Sequence, residues 1–311
     1  MNQMRTPDSM NRWISPELLA AFEAEGTSAH RLFTSPNAWV ERLGCDVLIS
    51  FKFDAARDEA LAGLREWESR TGFQSGRVFS RFLPRQNAER VAPALLAGDP
   101  AASLDAVVTE RGIRYGIDFG AGYSAGLFVD QRANRARVQK LSPKRMLNTF
   151  AYTCSFSVVA ALAGAQTLSL DLSKKSLDRG RKNFELNRLP LDGHRFLADD
   201  VLEVLPRLER RGEKFDLIIL DPPTFSLGNR GRRWQVEDQI GDLLRAALDL
   251  ATPQAALLIS TNCAKLDLPT LERTARLALK TARLGGDISH ELPLPDFPAG
   301  ASAQTLWLRL R

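Results

Sequence analysis

"KRMLNTFAYTCSFSVVAALAGAQTLSLDL", residues 144 to 172, reads as strand, turn, helix and strand in one short span. KRMLNTF carries the apolar run of a buried strand, SFSVVAALAGA an apolar helix ending near Gly164, and QTLSLDL a second strand. Two strands joined by a helix in this way form a right-handed crossover with parallel strands. The alternation continues. SKKSLDRGRKNFELNRL is an amphipathic helix with Ser173 as its N-cap, HRFLAD a strand, VLEVLPRLERRG mostly helix and FDLIIL a strand. QVEDQIGDLLRAALDLA is a helix, AALLIST a strand and LPTLERTARLALKTARL a helix. The closing AQTLWLRLR alternates apolar and polar residues, as an edge or antiparallel strand does.

The pattern predicts an α/β fold over residues 119–311: a doubly wound, mostly parallel, Rossmann-like sheet with a late antiparallel strand. Upstream, DVLISFKFD and GRVFSRFL read as strands around the helix AARDEALAGLREWESR. DAVVTERGIRYGIDF reads as two strands turning at Arg111-Gly112, after an Ala-, Gly- and Pro-rich connector from Pro93 to Ser103. Residues 46–118 are thus expected to form a small α+β domain. Residues 1–45 are expected to be a polar extension with one short helix, starting at Ser15-Pro16-Glu17.

The composition of the 311 residues, 44% hydrophobic and 25% charged, is that of a globular chain. No run of about 18 apolar residues suggests a membrane span, and MNQMRTPDSMNRW lacks the apolar core of a secretory signal. Three scattered cysteines (Cys45, Cys154, Cys263) and three histidines argue against a disulfide framework or a metal site, so a reducing cytoplasm is expected. The net charge of +5 is modest, but its distribution is uneven. Arg132, Arg135, Arg137, Lys140, Lys144 and Arg145 form a run without acidic residues, either a solvated helix face or a polyanion contact. Arg230, Arg232 and Arg233 are followed by Trp234, a combination suited to phosphate contact plus base stacking.

In a doubly wound sheet, ligands sit outside the carboxyl ends of the strands. The first strand runs into Asn148-Thr149-Phe150-Ala151-Tyr152-Thr153-Cys154-Ser155, the second ends at Asp171, the third at Asp199-Asp200 and the fourth at Asp221. Any one of these aspartates could be a helix N-cap, and for Asp199 that reading is as good as a ligand role. Together they suit a nucleoside-like ligand. A dinucleotide would need a glycine-rich turn for its pyrophosphate, whereas the turn after the first strand has no glycine. An adenosine-bearing ligand without phosphate, S-adenosyl-L-methionine, fits better.

The order LNTFAYTCSFSVVAALAGA, LDLSKKSLDRGRKNFELN, ADDVLEVL and LDPPTFS resembles class I S-adenosylmethionine-dependent methyltransferases. More narrowly, with YSAGLFVDQRANR before it and PDFP followed by QTLWLRL after it, the chain resembles the ribosomal large-subunit methyltransferase K/I family over about residues 110–311. The resemblance implies S-adenosyl-L-methionine as cofactor and RNA, ribosomal RNA above all, as partner, with no membrane and no metal. It implies that Asn148, Phe150, Tyr152, Thr153 and Cys154 approach the methionine part, Asp171 the ribose hydroxyls and Asp200 the adenine amine. Leu172, Asp199, Val201 and Asp221 complete the implied cofactor contacts. The family usually has glycine where Cys154 stands, so a Cβ there is expected to crowd the cofactor. Residues 1–45 do not resemble the RNA-binding module that some members carry.

Asp221, Pro222, Pro223 and Phe225 are the candidate catalytic residues: rigid acceptors aimed at a flipped-out base, with a ring to stack on it. Arg132, Arg135, Arg230, Arg232, Arg233 and Trp234 are the candidate RNA contacts. Methylation of a pyrimidine at carbon-5 needs a cysteine thiolate. Cys263 follows LLISTN, yet STNC differs from the Ser-Cys-Ser pattern of the cytosine-modifying branch, with Asn262 in that cysteine's place. DPPTFS with a Thr-Asn turn more closely resembles the guanine-modifying branch, where a ring nitrogen needs only positioning. A small-molecule methyltransferase and a degenerate binding protein stay open as other classes.

Overall fold

The structure is a computed structural model that describes residues 12–84, 90–228, 231, 233–298 and 300–311. The chain divides into two compact units, one running through Asp130 and including Pro293–Ala301, the other comprising Gln131–Leu292 and Ser302–Arg311.

In the first unit, β1 (Arg12–Trp13), β2 (Ala29–Thr34), β3 (Ala38–Leu43), β4 (Asp46–Phe51), β5 (Val78–Phe82) and β6 (Ala94–Ala97) form a six-stranded sheet in sequence order. Helix α1 (Pro16–Ala24) begins at the Ser15 cap, whose Oγ accepts from Leu18 N, and α2 (Asp54–Thr71) packs on the sheet. A separate hairpin, β7 (Asp105–Glu110) with β8 (Ile113–Asp118), turns at Arg111-Gly112, both in the left-handed region. Residues 12–43 are therefore structured, not a polar extension. Strand β2 misleads because it buries His30, Arg31 and Thr34 beside Leu32. The Arg31 backbone N–H donates to Asp296, and its guanidinium lies over the Phe297 ring and pairs with Glu41, so charge is spent inside the unit. The Pro93–Ser103 connector likewise contains a strand, β6.

The second unit is the expected doubly wound sheet. It opens with α3 (Arg132–Leu141), then β9 (Arg145–Thr149), α4 (Ser155–Leu162), β10 (Gln166–Asp171), α5 (Lys174–Leu186) and β11 (Arg195–Ala198). There follow α6 (Val201–Arg210), β12 (Phe215–Leu220), a small hairpin of β13 (Phe225–Leu227) and β14 (Arg233–Gln235), and α7 (Val236–Leu248). β15 (Ala251–Thr261), α8 (Leu268–Ala282), β16 (Gly286–Ser289) and β17 (Gln304–Leu310) complete it. The seven strands run β11-β10-β9-β12-β15-β17-β16. The first five pair in parallel, whereas β17 runs antiparallel between β15 and the edge strand β16. Strand order reverses between β9 and β12, so a crevice is expected at their carboxyl ends. Leu147, Leu170, Ile218, Leu220, Leu257, Ile259, Leu306 and Leu308 belong to the core that fixes these ends in space.

Candidate active site

The turn after β9 takes a glycine-like path without glycine. Phe150, Tyr152 and Cys154 have φ of 53°, 48° and 60°. Left-handed backbone costs a residue with a Cβ roughly 1–2 kcal/mol, so the surroundings must impose it three times. They do so through hydrogen bonds. Ala151 N donates to Leu170 O at 3.0 Å and Cys154 N to Ala151 O at 2.7 Å. Tyr152 N donates to Asp171 Oδ2 at 2.8 Å, and Asn183 Nδ2 on α5 donates to Thr153 O at 2.8 Å. Asn148 is buried too. Its Nδ2 donates to Ser157 Oγ at 2.9 Å, and that hydroxyl meets Ser169 Oγ at 2.8 Å, locking α4 to β9 and β10. Asn148 and Thr153 thus hold the turn from behind.

Cys154 does not crowd the site as expected. Its side chain is wholly buried and faces Gly180 on α5, where a Cβ would collide with Sγ and lie 3.0 Å from the Cys154 Cβ. The notch that accepts the thiol is made by a glycine in the partner helix. Burial pushes this thiol up to about 12, so it stays protonated and inert. Gly180 and Asn183 are site-building residues that the sequence reading missed. The signal was present: a glycine and an amide on the apolar stripe of α5, beside Leu177 and Phe184.

Asp171 closes the turn from β10. Oδ2 takes the Tyr152 N–H and Oδ1 the Ser173 N–H, each at 2.8 Å. Burial raises its carboxyl above the ordinary range despite those two donors. A desolvated carboxylate with lone pairs remaining on both oxygens gains from two further O–H donors, which is what a ribose diol offers. Leu172, next to it, is exposed. This pair of acceptors suits S-adenosylmethionine, whose adenosine carries no phosphate. At the end of β11 the two aspartates separate. Asp199 accepts from Asp200 N through Oδ1 and from Arg207 through Oδ2 at 2.7 Å, a structural pairing. Asp200 caps α6 through Oδ1, accepting from Leu202 N at 2.9 Å, while its Oδ2 has no protein donor among the described residues. Val201 spends its side chain in the core.

Beside the turn, Asp221 follows β12, half-buried, with Pro222 buried and Pro223 exposed. Strands β9 and β12 are level here, Thr149 opposite Leu220, and Thr149 Oγ1 donates to Ile219 O at 2.7 Å. Phe225 opens the β13–β14 hairpin with 52% of its surface exposed. Trp234, in contrast, is 4% exposed, donates its indole N–H to Pro223 O at 2.8 Å and packs on Phe150. It is therefore not an open stacking platform for RNA. Arg233 is exposed; Arg230 and Arg232 lie outside the described residues.

The basic run of α3 also departs from expectation. Arg132 and Arg135 are 2% and 1% exposed and belong to the interior rather than to a face for RNA. Arg137 pairs with Glu291 at 2.7 Å and Arg145 with Glu213 at 3.1 Å. The helix is tied to the sheet by amides: Trp307 Nε1 donates to Asn134 Oδ1, Asn134 Nδ2 to Gln131 Oε1, and Gln131 Nε2 to Ser260 Oγ. Cys263 is buried just past β15, its Sγ 3.7 Å from Glu237, which itself pairs with Lys265 at 2.8 Å. Among the described residues no cluster of His, Cys, Asp or Glu could hold a metal ion, and no helix is long and apolar enough to cross a membrane.

A family model described as S-adenosylmethionine-dependent methyltransferase matches residues 41–309. The chain belongs to this family. Ribosomal RNA large subunit methyltransferase I of Serratia proteamaculans (strain 568) is 37% identical over 183 residues, 58% of this chain and 45% of that protein. The protein of the same name from Aeromonas salmonicida (strain A449) is 42% identical over 122 residues, 39% of this chain and 31% of that one. The chain thus spans less than half the length of these curated relatives. The crystal structure of SMU.776 complexed with SAH superposes with a TM-score of 0.81 at 25% identity, covering 94% of this chain and 78% of that one. The family's methyl donor is S-adenosylmethionine, and Asp171, with lone pairs left on both oxygens, is the acceptor beside the turn after β9 that could meet its ribose.

Proposed function

We propose that this methyltransferase modifies a base in large-subunit ribosomal RNA, at a guanine nitrogen. The observation that carries the reading is the pairing of two features at neighbouring strand ends. One is the turn closed by Asp171; the other is Asp221-Pro222-Pro223 with the exposed Phe225 ring beside it. Bound S-adenosylmethionine supplies an electrophilic methyl group. The residues of this chain do the positioning: Asp171 holds the ribose, Asp200 the adenine amine, and the turn residues 150–152 the methionine part. Phe225 stacks on a base drawn out of its strand, and Asp221 accepts its N–H. A ring nitrogen with its own lone pair would form the N–CH3 bond as the sulfonium S–CH3 bond breaks and S-adenosylhomocysteine leaves, so positioning and exclusion of water would suffice.

Polyanion binding has support along the same edge of the sheet. Lys174 and Lys175 occupy the first turn of α5, where the helix dipole disfavours cations, and are exposed without an acidic partner among the described residues. Arg233 adds a third exposed cation. The names of the curated relatives point to the same substrate class. Cytosine methylation is disfavoured because Cys263 is a buried thiol engaged with Glu237 rather than an open nucleophile.

The test is methyl transfer from labelled S-adenosylmethionine to ribosomal RNA from cells lacking the gene, followed by nucleoside mass spectrometry. Label in a methylguanosine is expected. Label in 5-methylcytosine that vanishes in Cys263→Ala would move the reaction to cytosine. Absence of label from RNA would remove the RNA reading.

A further inference from the structure

The two prolines leave the base loop one freedom. Proline fixes φ but not ψ, so the Pro223 carbonyl could still swing. Trp234 stops it, its indole N–H reaching that oxygen at 2.8 Å. The same ring lies against Phe150, centroids 5.6 Å apart and planes inclined by 41°. Phe150 is the first left-handed residue of the turn after β9, two positions before the N–H that Asp171 holds. Trp234 also sits in β14 opposite Ser226, with Phe225 opposite Gln235, and Val236 N donates to Thr224 O at 3.2 Å. One buried side chain therefore touches the methyl-donor turn, the Asp-Pro-Pro backbone and the hairpin that presents Phe225. We propose that Trp234 is a positioning residue that couples the two halves of the site, so that an occupied donor turn tightens the base loop and its hairpin.

The inference rests on the proposed cofactor turn, and its test needs no RNA. Hydrogen exchange is followed at the amides of Phe225–Leu227 and Arg233–Gln235, with and without S-adenosylhomocysteine, in the full chain. In the wild type, S-adenosylhomocysteine is expected to slow exchange there by about fivefold or more, a usual size for coupling between sites. Trp234→Phe keeps a ring against Phe150 but loses the indole N–H. It is expected to bind S-adenosylhomocysteine and to lose the hairpin protection. Phe150→Leu, which breaks the contact from the other side, is expected to weaken the protection likewise. Binding without protection of the wild-type hairpin, or full protection in Trp234→Phe, would overturn the coupling while leaving the cofactor turn intact. Failure of the wild type to bind S-adenosylhomocysteine would remove the cofactor turn and the coupling with it.

Discussion

The turn after β9 and the loop after β12 start side by side, Thr149 level with Leu220, and are held rigid by opposite means. In the turn, strained left-handed residues are held by the interior: Asp171 on one N–H, Asn183 on one carbonyl, and a thiol seated against Gly180. In the loop, the stiffness is built into the chain by Pro222 and Pro223 and completed by one indole, while Phe225 stays in solvent. The difference matches what each is proposed to receive. A small cofactor can be enclosed by a turn embedded in the core. A base still attached to its polymer needs an edge that is rigid yet open.

The open side is where a large effect confined to the substrate is expected. Phe225→Ala removes a stacking surface worth about 1–3 kcal/mol per base. It is therefore expected to raise the KM for ribosomal RNA while leaving the affinity for S-adenosylhomocysteine unchanged. Steady-state methyl transfer with calorimetry alongside checks both halves, and an unchanged KM would detach the ring from the substrate.

The enclosed side is best broken at its notch. Gly180→Ala places a Cβ against Cys154 Sγ, an overpacking that costs about 1–3 kcal/mol, partly offset by roughly 1 kcal/mol of helix propensity. Cys154→Gly relieves both the collision and the left-handed strain, and in its presence Gly180→Ala is expected to turn neutral or stabilising. Denaturant unfolding of the two single variants and the double variant measures the coupling, expected at about 1–2 kcal/mol. Strictly additive costs would mean that the thiol does not occupy that notch.

The smallest effect belongs to Cys263, at the end of the neighbouring strand β15. Cys263→Ala is expected to cost about 1 kcal/mol of stability through lost packing and to retain methyl transfer. In the folded protein only Cys45, the exposed thiol, is expected to react promptly with a thiol reagent. Loss of activity by orders of magnitude in Cys263→Ala would make it a nucleophile.

Much of the second unit was legible because its strands are short apolar runs separated by helices, and because aspartates mark their carboxyl ends. What escaped is what burial decides. Arg132, Arg135 and Trp234 read as a surface for RNA because a sequence shows charge and aromaticity but not enclosure; their neighbours in the fold put them inside. Strand β2 was hidden by buried polar residues such as His30 and Arg31, and β16 by its length of four residues. The turn after β9 was readable only by its lack of glycine. Its left-handed path became visible with the partners that impose it, above all Gly180 and Asn183, which stand on another element.

The central claim is that the turn closed by Asp171 holds the methyl donor, and calorimetric titration with S-adenosylhomocysteine tests it most directly. Asp171→Ala loses the charged acceptor for the ribose and is expected to bind about 1.5–3 kcal/mol more weakly, since hydrogen bonds to charged groups are of that size. Asp199→Ala is the matched control, because both Asp199 oxygens are engaged within the protein; its affinity should be close to that of the wild type. Asp171→Asn adds a check of sign. Burial raises the Asp171 carboxyl, so the folded wild type holds its proton to higher pH than the unfolded chain. Its contribution to stability is thus full below the ordinary carboxylate range and is lost as pH rises through the raised value; Asp171→Asn should lack that loss. Equal affinity of wild type and Asp171→Ala for S-adenosylhomocysteine would contradict the account.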